Sequence, residues 1–116
     1  MAEMLPYSGS RQRARLALEA ITFRGKRSLT DASLTAFGHL FPLRGKKLPS
    51  KSTNILNDCW NEILQAEPKL ALETQLDAYR SRIYGTKKAS RFARQIFNAS
   101  LEILTSRSKE DAEVWK

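Results

Sequence analysis

Apolar residues recur at helical spacing along most of the chain, and this pattern constrains the fold more than any other feature. Between residues 55 and 64 they come as adjacent pairs every four residues, which is typical of a helix with one broad buried face. No stretch alternates apolar and polar residues as a half-buried strand does. We therefore expect an all-α protein.

Glycine and proline residues divide the pattern into five predicted helices. We expect Ser10 to cap the first helix, Gly25 to stop it, and Thr30 to cap the second, which ends near Pro42 because proline cannot continue a helix. Pro68 suits the first turn of the fourth helix, where its missing N–H costs nothing. The predicted ranges are 10–23, 31–41, a segment around 55–64, 68–85 and 86–106, and the terminal KEDAEVWK forms a short sixth helix or frays.

Chain length and the fifth helix set the expected assembly. A chain of 116 residues has the size of one ordinary domain, so we expect a single compact helical domain over 1–116, with 1–9 and 108–116 as flexible ends. The fifth helix is apolar on two neighbouring sides, which is typical of a helix packed by several neighbours or by a second chain. We predict that the third and fifth helices are central and that the protein is a homodimer formed through the fifth.

The composition excludes several functional classes. Apolar runs never exceed four residues, so no segment is expected to span a membrane, and no basic start followed by an apolar stretch marks a signal peptide. We expect an intracellular protein, cytoplasmic or, in a eukaryotic cell, nuclear, with no membrane partner. A single cysteine and a single histidine exclude an internal disulfide and leave little to hold a metal. We therefore expect no cofactor, no small-molecule substrate and no enzymatic activity.

The reactive side chains fit structural roles. Cys59 and Trp60 lie in the apolar stripe of the third helix, so both are expected in the core. His39 stands among apolar residues and is expected to be half-buried. Asp58 and Glu62 lie one helical turn apart on the polar side, as acid–base carboxylates can, but no neighbour in the sequence completes a catalytic site.

The strongest functional signal is the charge, a formal net +8 from 20 basic and 12 acidic residues. Residues 1–51 and 78–109 each carry a net +7, whereas residues 52–77 carry −4 and the last seven carry −2. Basic residues concentrate in the first turns of the first and fifth helices, where the helix dipole disfavours cations. Because stability alone would place acidic residues there, these helix starts indicate sites for phosphate.

We therefore predict a small non-enzymatic nucleic-acid-binding protein that grips the phosphate backbone with little sequence readout. The predicted contacts are cations on basic helix starts and on the loop after the second helix: Arg11, Arg13, Arg15, Arg44, Lys46, Lys47, Arg80, Arg82, Lys87, Lys88, Arg91 and Arg94. We expect them to face an external polyanion rather than an internal ion-pair network. Two parallel basic helices, doubled by a dimer axis, would serve to grip both phosphate walls of an RNA groove.

Two alternatives remain at this stage. One is a DNA-binding transcriptional or replication regulator, but nine residues rather than a short turn separate the second and third helices, and Asp58 and Glu62 would face phosphates. RNA, above all duplex RNA, is therefore slightly favoured over DNA. Tyr84 is either a base-stacking residue or a residue that packs at a helix end. The other alternative is an adaptor for an acidic protein partner, marked by an exposed apolar groove amid basic residues and by weak salt dependence.

Overall fold

Five α-helices and one short 3₁₀ helix make up the computed structural model, which describes residues 6–43, 50–85 and 87–105. The α-helices are α1 (Pro6–Thr22), α2 (Leu29–Leu40), α3 (Ser50–Ala66), α4 (Leu72–Ile83) and α5 (Lys87–Thr105), and the 3₁₀ helix Phe41–Leu43 follows α2 directly. No strand occurs within these ranges, so the all-α prediction is confirmed. None of these helices is both long enough and apolar enough to cross a membrane. The predicted sixth helix and the end at 108–116 lie outside the described residues.

Two helices begin at positions other than those predicted. α1 begins at Pro6, whose fixed φ and missing N–H suit a first helical turn, so the predicted cap at Ser10 is wrong. Residues 6–9, expected to be part of a flexible end, are helical. α4 begins at Leu72 rather than in the turn of Pro68, because the Leu70 N–H donates to the Glu67 carbonyl at 3.3 Å and closes a separate turn there.

Ser28 and Thr30 both carry a hydroxyl group that could cap α2, and Ser28 is the residue that does so. Ser28 has an extended backbone, and its side-chain oxygen accepts the Asp31 N–H at 3.0 Å. Thr30, the predicted cap, lies inside the helix and is buried. The predicted end of α2 is confirmed, because Pro42 lies in the 3₁₀ helix that follows.

α5 occupies the centre of the core. It packs against α1, α2 and α3 and touches α4. Its buried side chains lie on one broad face and are Ala89, Phe92, Ala93, Ile96, Ala99, Ser100 and Ile103. On the second apolar side, Phe97 and Leu104 are half-buried and Leu101 is exposed, so one chain covers that side only in part. The central position of α5 is confirmed, and the homodimer stays a prediction.

Aromatic rings join α2, α3 and α5 inside the core. The ring of Phe37 lies 5.8 Å from that of Phe92 and 6.5 Å from that of Trp60, measured between centroids. Trp60 in turn lies 4.7 Å from Phe41. Trp60 is half-buried, yet it packs against the core as expected, and its neighbour Cys59 is fully buried.

Two contacts establish the directions of the helices around α2. The Arg13 guanidinium donates to the His39 carbonyl at 3.4 Å, so the middle of α1 lies beside the end of α2. An ion pair of 3.2 Å between Asp31 and Arg80 joins the start of α2 to the end of α4. The turn between α1 and α2 (residues 23–28) and the turn after α4 (Tyr84 and Gly85) therefore lie at the same end of the bundle. We call this end the two-turn end.

Candidate nucleic-acid interface

Four exposed cations occupy the first half of α5. Lys87, Arg91 and Arg94 follow one another at spacings of four and three residues, so they share one face of the helix, and Lys88 lies beside them. The first turn of α5 contains no acidic residue. The first carboxylate along the helix, Glu102, lies near its other end and is bound to α3. The basic half of α5 therefore has no carboxylate on its own helix to neutralise it.

Because α1 begins at Pro6, Arg11, Arg13 and Arg15 lie in its second and third turns, so the prediction that they occupy its start is wrong. Arg13 and Arg15 are exposed, and Arg11 is half-buried. Arg13 donates to a backbone carbonyl, and Arg15 donates to the Gln12 side-chain oxygen at 2.6 Å. Since neither partner is a carboxylate, these contacts hold the guanidinium groups without cancelling their charge.

The two predicted contact residues on α4 form ion pairs. Arg80 lies 3.2 Å from the carboxylate of Asp31 and 2.8 Å from that of Asp77. Arg82 lies 3.4 Å from the carboxylate of Glu67. All three pairs are solvent-exposed, where such pairs contribute little to stability. The expectation that the basic residues avoid internal ion pairs is therefore wrong for Arg80 and Arg82.

The remaining predicted contacts, Arg44, Lys46 and Lys47, lie outside the described residues. The basic residues of α1 and the start of α5 lie at opposite ends of α2, because Arg13 is beside its last turn and α5 begins at the two-turn end. α2 has 12 residues and thus a length of about 18 Å.

The start of α5 instead shares the two-turn end with cations that sequence reasoning left out of the site. Arg24, Lys26 and Arg27 belong to the turn between α1 and α2, and all three are exposed. Arg27 and Arg80 line the same hollow between α2 and α4. The segment FRGKR carried the signal, but a short basic run is common, and only the fold places it near α5.

Two exposed aromatic side chains also lie at the two-turn end. Phe23 is 77% exposed and Tyr84 is 61% exposed. Within residues 9–43, 51–85 and 87–105, no other aromatic side chain is exposed to this degree. Such exposure argues against a packing role for Tyr84 and leaves the stacking role open.

The reactive groups of α3 and α4 face one another and the core. The Cys59 thiol donates to the Gln95 side-chain oxygen at 3.2 Å, and burial together with the carboxylates of Glu62 and Asp58 raises its pKa to about 12. Such a thiol is not a ready nucleophile. Burial, and a hydrogen bond donated to Glu62, raise the pKa of the Tyr79 hydroxyl.

Glu62 is therefore not on an exposed acidic face, as the sequence pattern suggested, but half-buried against α4. His39 is half-buried, as expected. Within the described ranges, no three His, Cys, Asp or Glu side chains come together as a metal site would require. Comparison with models of known protein families, with curated proteins and with solved structures found no match.

Proposed function

We propose that this protein binds nucleic acid through its phosphate backbone, with duplex RNA slightly favoured over DNA and with little sequence readout. The observation that supports this most strongly is the basic half of α5, where exposed Lys87, Arg91 and Arg94 share one face and no carboxylate lies on the same helix before Glu102. Cations placed at a helix start work against the helix dipole, so a stability role does not explain them. Phosphates bound there would release counterions and benefit from the N-terminal N–H groups.

Charge on neighbouring elements extends the proposed surface. The exposed cations of the turn between α1 and α2 lie at the same end of the bundle as the start of α5. Arg80 and Arg82 are partly neutralised by their carboxylate partners, so we assign them a smaller share of the binding. Arg13 and Arg15 lie at the other end of α2 and would contact a different stretch of the same backbone.

A salt series tests the proposal directly. The full chain is titrated by fluorescence anisotropy against short single- and double-stranded RNA and DNA at several salt concentrations. We expect a steep dependence of log affinity on log salt, with a slope of about −0.9 for each phosphate neutralised on duplex DNA. Among the four ligands, duplex RNA should bind most tightly. No binding at low salt would contradict the proposal.

The matched variants use the difference between free-standing and ion-paired arginines. Arg94→Ala removes an exposed cation whose helix carries no nearby carboxylate, and it should reduce the salt slope by about one unit for every sequence tested. Arg82→Ala removes the same group from the Glu67 ion pair and should change the slope less. Both side chains are exposed, so folding should persist in both, which circular dichroism checks. Equal changes in the two variants would contradict the assignment of α5 as the main surface.

A second candidate is the adaptor for an acidic protein partner. The observation in its favour is a hollow of about 460 Å³ between α3 and α5, where Ile55 and Leu101 form an apolar lining. Lys51 and Glu102 also line this hollow, so its charges balance and only its apolar lining supports this candidate. An adaptor would bind its partner with weak salt dependence, because apolar burial rather than counterion release would supply the affinity. The same salt series therefore separates the two candidates.

A further inference from the structure

The two exposed aromatic residues share a local arrangement. Phe23 follows α1 and Tyr84 follows α4, and each ring comes just before a glycine with positive φ, Gly25 at +62° and Gly85 at +70°. A positive φ turns the chain sharply at little cost only for glycine, so each ring is carried on the outside of a tight turn. The Asp31–Arg80 ion pair brings both turns to one end.

The turn that carries Phe23 is held by its own hydrogen bonds. The Phe23 N–H donates to the Glu19 carbonyl at 2.8 Å, and the Arg27 N–H donates to the Arg24 carbonyl at 3.0 Å. The Arg24 guanidinium returns to the Arg27 carbonyl at 3.2 Å, and that of Arg27 binds the Thr35 hydroxyl. The exposed ring thus stands on an ordered support, which lowers the entropy lost when a ligand binds it.

Cations surround both rings. Arg24 and Lys26 are exposed one and three residues after Phe23, and Lys87 is exposed three residues after Tyr84. A flat apolar ring next to cations matches a nucleotide, whose base offers a π-face and whose phosphate offers a negative charge. A base inside a duplex hides both faces against its neighbours, whereas an unpaired base offers them. A membrane surface is a poorer match, because the exposed neighbours of Phe23 are Thr22 and Arg24 rather than a continuous apolar face.

We infer that the two-turn end is a stacking site for unpaired nucleobases, in which Phe23 and Tyr84 contact base faces while Arg24, Lys26 and Lys87 contact the adjoining phosphates. This inference rests on the proposed nucleic-acid function and refines its ligand. The preferred ligand is a duplex with a single-stranded extension, in which α5 tracks the duplex phosphates and the two rings hold the extension.

The test compares three RNA probes bound to the full chain at one salt concentration. The first probe is a blunt duplex, the second is the same duplex with a single-stranded overhang of about five nucleotides, and the third carries the same overhang without bases. An overhang of this length is within the range of site sizes known for proteins that bind single strands. We expect the overhang to raise affinity and the abasic overhang to lose most of that gain while keeping its phosphates. In the doubly substituted variant Phe23→Ala, Tyr84→Ala, the gain should fall roughly tenfold or more, the size of effect seen for stacked bases, while blunt-duplex affinity is unchanged.

The matched control is Leu101→Ala, which removes an exposed apolar side chain near the far end of α5, and it should leave the overhang gain intact. Equal affinity of the wild-type chain for blunt and overhang probes would overturn this inference and leave the proposed function standing. Failure to bind any probe would overturn the proposed function as well. The inference would also be overturned if Leu101→Ala lost the affinity gained from the overhang. The same holds if the chain bound anionic vesicles in a manner that depends on Phe23 while the overhang had no effect on RNA affinity.

Discussion

Phe37 offers the sharpest test of the core, because the chain supplies a matched control for the same substitution. Phe37 is 1% exposed, and its ring contacts those of Phe41, Trp60 and Phe92 at 5.8–6.5 Å between centroids. Truncating such a residue to alanine removes its burial and leaves a cavity, at a cost of about 3–5 kcal/mol. Phe23 is 77% exposed, so Phe23→Ala removes the same atoms with an expected change within about 0.5 kcal/mol.

The expected changes in the free energy of unfolding determine the design of the stability assay. A domain of this length is stable by roughly 6–17 kcal/mol, so Phe37→Ala takes a large share of the total and should lower the melting temperature by more than about 12 °C. Urea unfolding followed by far-UV circular dichroism gives the free energies of the wild-type chain and both alanine variants. If Phe37→Ala does not fold, Phe37→Leu keeps most of the volume and should cost less than about 1.5 kcal/mol. Equal losses in Phe37→Ala and Phe23→Ala would refute the packing described for α2.

Three further predictions concern the folded state. Burial raises the pKa of Cys59 from 9.0 to about 12, so the folded chain holds this proton more tightly than the unfolded chain. The free energy of unfolding should therefore fall as the pH rises from about 9 towards 12. Urea titrations across this pH range should show a smaller decline for Cys59→Ala. Tyr79→Phe should lower the free energy of unfolding by about 1–2 kcal/mol at neutral pH, because Glu62 loses a donated hydrogen bond, and an unchanged urea midpoint would contradict that contact. Gly38→Ala should stabilise α2 by about 0.5–1 kcal/mol, because the added methyl meets no atom within 4 Å. Gly25→Ala should instead cost roughly 1 kcal/mol, because its φ of +62° disfavours a side chain. Melting temperatures that move in the same direction in the two variants would contradict these two predictions.

The number and order of the helices could be predicted because their signals are local. Each helix carries its own apolar periodicity, and glycine or proline separates it from the next. The residues at which the helices begin are harder to predict. Ser28 and Thr30 are both good caps, and the sequence does not show which of them has the extended backbone that capping needs. The turn at Pro68 resembles a helix start in the sequence, because a proline suits both a tight turn and the first turn of a helix.

The candidate site was predictable only as a set of residue types. The basic clusters of α1 and α5 are visible in the sequence, but their placement at opposite ends of α2 depends on how the helices pack. The ion pair of Arg82 with Glu67 joins residues 15 positions apart, and that of Arg80 with Asp31 joins residues 49 positions apart. Partners so far apart leave no periodic trace, so the sequence could not show which cations are neutralised.

The sequence by itself determined the all-α architecture, the central position of α5 and the strongly basic charge, because each follows from residue types at short spacing. The tertiary structure alone decided that Glu62 turns towards Tyr79 and that the turn after α1 lies at the same end as the start of α5. It also decided that one apolar side of α5 is fully buried within the chain, whereas Leu101 on the other side is exposed. The physical reason is that periodicity states which face of a helix is buried, whereas the neighbour that covers that face is chosen by the packing of all the helices together.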